Sequence, residues 1–597
     1  MTVRLSALAR TAGLLHPNQC GSVPGLSTSD ACATLIHEVR TLQRPRWAVS
    51  TLFLDIKAGF DNVNASKLRA ILLAKNIPSY MVDWVTSFLT ERSCTLVHQG
   101  APGTKVPVEV GTPQGSPISP LLFLIYVDPL HSAIPKGVMI SYMDDFSLTV
   151  ASDSHRTNIR RLQALFRTLT RRADNLEVKF STPKTELIHR RTPSQRTSPS
   201  QAPIALDGLI FRPAGVLRWL GYWLSPALNS QHHFAHRTSL AQASFSFVKR
   251  LSSPGAGVRP FLNHRIALGL LLPILTYGSD LLTPNTHSLD AMNSFWHRVC
   301  RWVTNCFFST PSSILTREAC LPPVAAYCRY RRRLAALRVA CAPPTHNPAA
   351  ARLPATFPSL STFRAQDSSR HLTRGLSSVY LPLDWRTETP SPPIRKHLPI
   401  DTMAHLTIPL TEGLSRLPLV LHAPPPPGTN IPPSDLMRKT YLTLRKRARE
   451  ALMADWGTLH PTPNYYSFSP WITPHPFMGL DKFIAGRIHQ MRAGKSYLAA
   501  HPSWWSDLPD NRCPRCGSAP EMFEHAILHC PDKSRERTLL LGEVASLGED
   551  SPLWSSSHLI HALGRFISST HTGFPPDMHP HSPPIFTSSP PHSPSDD

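Results

Sequence analysis

Two adjacent aspartates, Asp144 and Asp145, lie in the segment SYMDDF at positions 141–146, which carries no other charge. Carboxylates side by side repel each other and resist burial unless a cation joins them. Apolar residues alternate along positions 138–150 on both sides of the pair, which predicts a β-hairpin with both carboxylates at its turn and with Tyr142 and Met143 in the strand that leads to them. The pair is therefore either an ordinary polar turn or part of a cation site.

A third carboxylate, Asp55, lies in the β-prone run TLFLDI at positions 51–56. If this strand neighbours the hairpin, the three aspartates converge on one small acidic pocket. Hard oxygen ligands of this kind suit Mg²⁺, which keeps bound waters and accepts substrate phosphates. Two such ions can activate an attacking hydroxyl and stabilise the leaving oxygen of a phosphoryl transfer. The three aspartates therefore permit a polymerase or a nuclease.

Hydrophobic spacing predicts the elements that position these aspartates. Two helical patterns follow the first strand, at positions 64–72 and 78–88, and the Gly- and Pro-rich segment GTPQGSPISP leads into an apolar helix. Apolar residues at helical spacing between 159 and 173 predict a further helix whose opposite face carries arginines. Residues 200–340 are expected to be mainly helical after a small strand pair around 211–225, and the Pro-rich residues 343–433 to form a linker. A strand, helices, a hairpin and a helix in this order predict an α+β fold, in which helices back a sheet.

A second group of ligand-type residues lies in CPRCGSAPEMFEHAILHC, at positions 513–530. Its spacing places two thiols on a tight turn, and an imidazole and a third thiol on a short helix. This pattern matches a tetrahedral structural Zn²⁺ site, while a chance spacing of free cysteines is the alternative. His529 adjoins the last cysteine and is the poorer ligand. The predicted zinc ligands are Cys513, Cys516, His525 and Cys530.

The composition indicates a polyanionic partner. The 597 residues include 62 Lys and Arg against 39 Asp and Glu, a formal net charge of +23. Basic stretches at 156–196 and 438–449 would neutralise phosphates if they are not simply solvated helix faces. The odd number of 11 cysteines argues against a secreted disulfide scaffold and favours an intracellular protein. The apolar stretch at 266–278 is too short to span a bilayer, so no membrane association is expected.

The order of several motifs resembles that of the reverse transcriptases of non-LTR (LINE-class) retrotransposons. FLDIKAGFD, GTPQGSPISPLLFLIYV and YMDD resemble their A, B and C motifs, at positions 53–61, 111–127 and 142–145. KFSTPKTELI and WLGYWLS, at 179–188 and 219–225, are similar to the D and E segments. Residues 14–31 and 273–280 resemble segments before the A motif and beside the thumb of these enzymes.

The resemblance implies a role for individual residues. Asp55, Asp144 and Asp145 would hold two Mg²⁺ ions, with Mn²⁺ as a substitute. Phe60 would exclude a ribose 2′-OH, unless it is an ordinary core residue. Lys184 would donate a proton to the pyrophosphate leaving group or place a charge on it, unless it is a solvated lysine. The residues expected to line the template and the incoming nucleotide are Phe60, Gln114, Gly115, Tyr142 and Met143.

A right-hand polymerase fold with a C-terminal extension is the architecture that the resemblance implies. The first segment would hold partial fingers and the palm, the second a thumb-like helical region, and the third a helical part followed by a Pro-rich linker. A basic helical region with the zinc knuckle and a largely disordered tail would follow. The predicted boundaries are 1–199, 200–310, 311–433, 434–540 and 541–597.

The implied function is RNA-directed DNA polymerisation, in which deoxynucleotides are added to a DNA 3′-OH on an RNA template. The partners would be the RNA template, a DNA primer and dNTP, and the family acts in the nucleus. The resemblance also implies a fungal element product that lacks endonuclease and RNase H domains. Residues 22–27 read SVPGLS, without the two arginines common in the family. An inactive, truncated product that only binds nucleic acid is therefore an alternative; an RNA-directed RNA polymerase is another, which Phe60 disfavours.

Overall fold

The computed structural model divides into two compact units. The first comprises Met1–His233, Gly278–Asn285 and Arg329–Ala448, and the second Phe234–Tyr277, Thr286–Cys328 and Arg449–Asp597. The linker predicted at 343–433 lies outside the described residues except for its last position. The described residues are 1–11, 13–23, 25–43, 47–135, 137–190, 201–250, 257–341, 433–461, 475–499, 511–518, 520–546 and 557–575.

Helices and short strands alternate through residues 1–224. The helices are α1 Thr2–Thr11, α2 Thr28–Leu42, α3 Ala65–Ala74, α4 Ser79–Leu89, α5 Ser119–Val127, α6 Pro129–Ser132 and α7 His155–Asn175. The strands are β1 Ala48–Lys57, β2 Arg92–His98, β3 Ala101–Val108, β4 Met139–Tyr142, β5 Asp145–Ser152, β6 Lys179–Phe180, β7 Glu186–Arg190, β8 Ile204–Leu206, β9 Leu209–Phe211, β10 Leu217–Trp219 and β11 Tyr222–Leu224. This mixture of helix and strand confirms the predicted α+β class.

The rest of the described chain is helical, as predicted for residues 200–340 after the strand pair. The helices before residue 342 are α8 Gln231–Lys249, α9 Pro260–Ile266, α10 Leu272–Thr276, α11 Thr286–Thr304, α12 Ser312–Glu318 and α13 Val324–Cys341. Those after residue 432 are α14 Pro433–Leu459, α15 Lys482–Arg492, α16 Ser534–Ser546 and α17 Ser557–Thr570. Among the described residues, no helix is both long and apolar enough to cross a membrane.

A five-stranded antiparallel sheet is the centre of the first unit. Its order is β4-β5-β1-β6, and β7 also pairs with β1. Apolar residues at alternate positions of β1, such as Leu52 and Leu54, pack in one core with Leu162 and Phe166 of α7. The arginines on the other side of α7 are exposed, so this helix covers the sheet with one face, as its hydrophobic spacing predicts.

Three two-stranded hairpins accompany the sheet. The strand pair predicted around 211–225 is β10–β11 and is confirmed, but β8–β9 and β2–β3 were missed. The turn of β8–β9 is Asp207-Gly208, with φ of +47° and +80°. Asp-Gly between apolar residues is a strong hairpin signal, because a tight turn needs positive φ at both central positions. The sequence therefore carried the information for this hairpin.

The tail predicted at 541–597 is not disordered throughout. Helix α17 lies within it and buries Leu563, Phe566 and Ile567 in a core shared with Ile488 of α15. The Pro-, Ser- and His-rich composition on which the prediction rested begins only after this helix, at positions outside the described residues. Composition averaged over the whole segment obscured an amphipathic helix at its start.

A buried ion cluster joins α12 to α15 within the second unit. The Nε of Arg492 donates to Glu318 Oε1 at 3.0 Å, and His489 Nδ1 lies 2.7 Å from Glu318 Oε2. Burial alone would raise the pKa of Glu318, but Arg492 and His489 hold the pKa below its usual range. The cluster therefore links two helices that are distant in sequence, since Glu318 and His489 are 171 positions apart.

Removing the charge of Glu318 should destabilise the second unit. Glu318→Gln leaves the buried Arg492 without its carboxylate, which costs about 3–5 kcal/mol when a buried pair is broken. Glu543→Gln is the matched control, because the Glu543–Arg565 pair is exposed and such pairs contribute about 0–1 kcal/mol. Urea unfolding of both variants measures the difference. Equal midpoints would contradict a stabilising role for Glu318.

The destabilisation caused by Glu318→Gln should depend on pH. Since the folded-state pKa of Glu318 is depressed, its stabilising contribution is complete above the usual glutamate pKa and is lost as the pH falls towards the folded-state value. The difference between wild type and Glu318→Gln should therefore shrink in acid.

Candidate functional site

The register of the sheet brings the three predicted aspartates together. Asp55 of β1 is directly opposite Asp145 of β5, and Asp144 belongs to the turn between β4 and β5. The N–H of Ile56 donates to the Asp144 carbonyl oxygen at 3.1 Å, which ties the turn to β1. The first strand and the hairpin are thus neighbours in the sheet, as expected.

Repulsion and burial raise the proton affinity of this site. Burial, followed by the charges of Asp144 and Asp55, raises the pKa of Asp145 to about 6. Burial also raises the pKa of Asp144, with Asp55 contributing. Carboxylates that resist ionisation together accept a divalent cation in place of the protons, so this donor set fits a hard metal ion.

Lys184 supplies a positive charge at the edge of the three aspartates. Its Nζ donates to Asp55 Oδ2 at 3.0 Å, while most of its side chain is exposed. The hydrogen bond to Asp55 raises the pKa of Lys184, and the ammonium lowers the pKa of both Asp144 and Asp145. Lys184 is positioned by the 3-10 turn Thr182–Lys184, between two strands that both pair with β1.

Tyr142 and Met143 precede the aspartate pair but have different conformations. Tyr142 is the last residue of β4, as predicted. Met143 was expected in the same strand, yet it lies in the turn with a φ of +58°. Two residues, Met143 and Asp144, separate the paired Tyr142 and Asp145, and a two-residue loop requires positive φ. The strand prediction therefore extended one residue too far.

Phe60 lies beside the end of β1, in the 3-10 turn Gly59–Asn62. Its ring stacks on Phe123 of α5 with centroids 4.8 Å apart, and it is only partly buried. A Cβ on Gly59 would lie 2.7 Å from the Phe123 ring, so the close approach needs glycine. Phe60 thus packs on the core with one face, which is compatible with both of its predicted roles.

Gln114 and Gly115 lie in the turn before α5 and are exposed. The Nε2 of Gln114 donates to Asp61 Oδ1 at 3.1 Å. Gly115 has a φ of +92°, and no atom lies within 4 Å of where its Cβ would be. The Phe60 carbonyl accepts from the Thr112 N–H at 2.8 Å, so the turn lies next to the segment that carries Phe60.

The second predicted ligand group is also brought together, inside the second unit. The ligand atoms of its four residues all lie within 4.8 Å of one another. In the described parts of the chain no other three Cys, His, Asp or Glu side chains are gathered in this way, and the carboxylate oxygens of Asp55, Asp144 and Asp145 are therefore more widely spaced than these four ligand atoms. Sγ of Cys513 lies 3.8 Å from Sγ of Cys530, and Sγ of Cys516 lies 3.2 Å from Nε2 of His525. Three thiols and one imidazole within this radius form a donor set that fits a tetrahedral zinc ion.

Local backbone geometry shapes this cysteine–histidine group. Gly517 has a φ of +65°, and its N–H donates to the Cys513 carbonyl at 2.8 Å to close the tight turn. The π-helical segment His525–His529 then allows the Cys530 N–H to donate to the His525 carbonyl at 2.8 Å. This wider turn brings the third thiol next to the first. His529 is not part of the group, as its sequence position predicts.

Comparison with known proteins identifies the kind of domain that carries the aspartates. Residues 1–224 match the family model described as reverse transcriptase (RNA-dependent DNA polymerase). The chain is 23% identical over 323 residues to a probable RNA-directed DNA polymerase from transposon BS of Drosophila melanogaster, covering 53% of this chain and 35% of that protein. It is 27% identical over 251 residues to the RNA-directed DNA polymerase from mobile element jockey of the same species, covering 40% and 26%.

A solved structure, apo telomerase from Candida tropicalis, shares 13% identity with the chain, with a TM-score of 0.31 and coverage of 63% of this chain and 58% of that one. The chain spans about a third or less of the two transposon polymerases. The resemblance to reverse transcriptases of non-LTR elements is confirmed for the matched region, whereas the fungal origin and the missing domains stay predictions.

Divalent cation binding at the three aspartates should weaken in acid. A proton and a metal ion compete for Asp145, whose pKa lies at about 6, so affinity should be full above pH 7 and fall as the pH drops through 6. Mn²⁺ titrations followed by electron paramagnetic resonance between pH 5 and 8 measure this. Asp145→Asn should lower the affinity and remove most of its pH dependence. A wild-type affinity that is constant from pH 5 to 7 would contradict the competition.

Proposed function

We propose that the chain is an RNA-directed DNA polymerase of a non-LTR retrotransposon, because residues 1–224 match the reverse transcriptase family model. It adds deoxynucleotides to a DNA 3′-OH on an RNA template. The observation that carries this proposal is the pairing of Asp55 with Asp145 at the strand end, with Asp144 in the adjoining turn. Two carboxylates on neighbouring strands and a third in the adjoining turn are the kind of ligand set that a two-metal phosphoryl transfer needs.

Each residue of the site has a task in this proposal. Asp55, Asp144 and Asp145 hold two Mg²⁺ ions, or Mn²⁺ in their place. When bound, such ions activate the attacking hydroxyl and stabilise the leaving oxygen. Phe60 is held by its stack on Phe123 and restricts the space beside the sugar, which favours a deoxynucleotide.

Lys184 is well placed for the departing pyrophosphate. Its ammonium group bonds to Asp55 in the free protein but is largely exposed, so it can turn towards a triphosphate without being dehydrated first. There it supplies a positive charge or a proton as negative charge develops on the leaving group. Gln114 and Gly115 are exposed beside the Phe60 segment, which supports their role against the template and the nucleotide base.

The basic surface supports a nucleic-acid partner. On α7, Arg156, Arg160, Arg167 and Arg171 are exposed and recur at helical spacing on one face. The buried face of α7 packs in the core with Leu54, whereas strand alternation points the neighbouring Asp55 to the other face of β1. These arginines would therefore contact phosphates away from the aspartates, adding sequence-independent affinity that weakens with salt.

Primer extension tests the activity. With an RNA template, a DNA primer, dNTP and Mg²⁺, wild type should extend the primer and should discriminate against rNTP. Asp144→Asn removes a metal ligand, so its rate should fall by more than the roughly 100-fold that loss of an outer-shell partner costs. Asp153→Asn is the matched control, since Asp153 is an exposed aspartate just after β5.

Two results would overturn the polymerase proposal: extension by Asp144→Asn at the wild-type rate, or no extension by the wild type. In the second case, retention of RNA binding would favour the alternative of an inactive nucleic-acid-binding product. That alternative has its own support in the sequence, which lacks both family arginines at 22–27.

We also propose that Cys513, Cys516, His525 and Cys530 hold one structural Zn²⁺. The segment between the third and fourth ligands buries Ala526 and Ile527 in the core with Leu540, so the metal would fix this core as well as the turn. Nucleic-acid contact by the same knuckle is compatible with this role, because Cys516 remains partly exposed.

Zinc content tests the proposal that the cysteine–histidine group binds a metal ion. Wild type and the control Cys94→Ser, which changes an exposed cysteine of β2, should each carry about one Zn²⁺ per chain. Cys513→Ser should lose the ion, and its thermal unfolding midpoint should fall because metal binding stabilises the folded form. Retention of one equivalent by Cys513→Ser would contradict the assignment.

A further inference from the structure

A short segment near the N-terminus lies against the strand that leads to the aspartate pair. The N–H of Cys20 donates to the Ser141 carbonyl at 2.9 Å, and the N–H of Ser141 donates to the Asn18 carbonyl at 3.0 Å. The side-chain amide of Asn18 also donates to the Met139 carbonyl at 2.9 Å. Residues 18–20 therefore extend the sheet beyond β4, in a parallel bridge to Ser141.

The side chain of Gln19 continues this contact into the turn itself. Its Oε1 accepts from the N–H groups of Met143 at 3.1 Å and Gly21 at 3.0 Å. Its Nε2 donates to the Met143 carbonyl at 3.4 Å. Gln19 is 3% exposed, so its amide is buried, while Met143 is partly exposed. One buried amide therefore serves both backbone polar groups of the residue that precedes Asp144.

Met143 needs such support because its backbone is in an uncommon conformation. A non-glycine residue with a φ of +58° is in the left-handed region, which is disfavoured unless the surroundings fix it. A Cβ on Gly21 would lie 2.4 Å from the Met143 nitrogen, so bare backbone at position 21 lets the segment close on the turn. The N-terminal segment and the turn thus fit each other through specific residues on both sides.

We propose that Gln19 is a positioning residue for the metal centre. By fixing both backbone groups of Met143, it sets the place of Asp144 relative to Asp55 and Asp145. The inference rests on the proposed function insofar as these aspartates bind a divalent cation. Gln19 acts through Met143, because its side chain bonds to backbone atoms of Met143 and Gly21 and to no carboxylate.

Loss of these bonds should weaken metal binding more than folding. Without them, the turn can leave the left-handed conformation, and Asp144 must then be brought back whenever the ion binds. Removing an outer-shell partner of a metal ligand typically lowers metal affinity by about 10–100-fold. A loss of metal affinity of this size is expected when the bonds of Gln19 are removed, although Gln19 holds Asp144 only through its neighbour Met143.

The test uses Gln19→Met, which keeps the length of the side chain and removes its hydrogen bonds. Gln163→Met is the matched control, since Gln163 makes one bond, from its Nε2 to the Ala205 carbonyl at 3.0 Å, on the outer side of α7. Mn²⁺ binding to the zinc-loaded full chain is measured by electron paramagnetic resonance without nucleic acid. Asp144→Asn identifies which bound Mn²⁺ belongs to the three aspartates.

We expect about 10–100-fold weaker Mn²⁺ binding in Gln19→Met and unchanged binding in Gln163→Met. Gln19→Met should remain folded at the assay temperature, although its thermal midpoint falls because the N–H groups of Met143 and Gly21 lose their acceptor. Wild-type affinity in Gln19→Met would overturn the proposal. So would the absence of any Mn²⁺ binding that depends on Asp144. If Gln19→Met does not fold, Gln19→Asn takes its place, because its amide is one methylene shorter and falls short of Met143.

The Mn²⁺ titration and the primer-extension assay test the two proposals separately. A wild type that binds Mn²⁺ through Asp144 but extends no primer would remove the polymerase proposal and leave the role of Gln19 intact. Primer extension by the wild type, together with unchanged Mn²⁺ affinity in Gln19→Met, would support the polymerase proposal and overturn the role of Gln19.

Discussion

The repulsion between three carboxylates at one end of a sheet is the constraint on which the site depends. Like charges directly opposite in an antiparallel pair destabilise it, and Asp55 and Asp145 occupy such positions. The strands stay paired because their other residues, such as Leu52 and Leu148, form the core. Lys184 offsets part of the charge at Asp55. The remaining negative charge is what would favour a divalent cation at the site under the proposed function.

Local sequence was sufficient to predict the hairpin and the strand that carry the three aspartates, whereas the pairing of Asp55 with Asp145 is seen only in the structure. Alternation around Asp144 and Asp145 defines a hairpin, and a β-prone run ends near Asp55, so each element can be read from a few neighbouring residues. The four residues of the cysteine–histidine group were predicted for the same reason, because their spacing reflects one short turn and one helical segment. What these predictions lacked was the direction of each side chain, such as the contact of Lys184 with Asp55.

Contacts between distant residues left no comparable signal. Glu318 occurs in an ordinary helical stretch, and nothing near it in sequence indicates that Arg492 pairs with its charge and that His489 bonds to it in the interior. Gln19 likewise has no local pattern that links it to Met143, which is 124 positions away. The left-handed conformation of Met143 was missed because strand propensity alone gives no reason to end β4 before it. Only the register of β4 and β5 shows that a two-residue turn must begin there.

The geometry of the three aspartates depends on the turn between β4 and β5, because this turn carries Asp144. Asp144 is fixed by no strand pairing of its own, since the pairing ends at Tyr142 and Asp145. Its place follows from the turn, and the turn is held from outside by residues 18–21 and by the Ile56 N–H. A chain can therefore keep all three aspartates and still lose their relative geometry through changes near its N-terminus. The motif and the segment that supports it have to be judged together when activity is inferred from sequence.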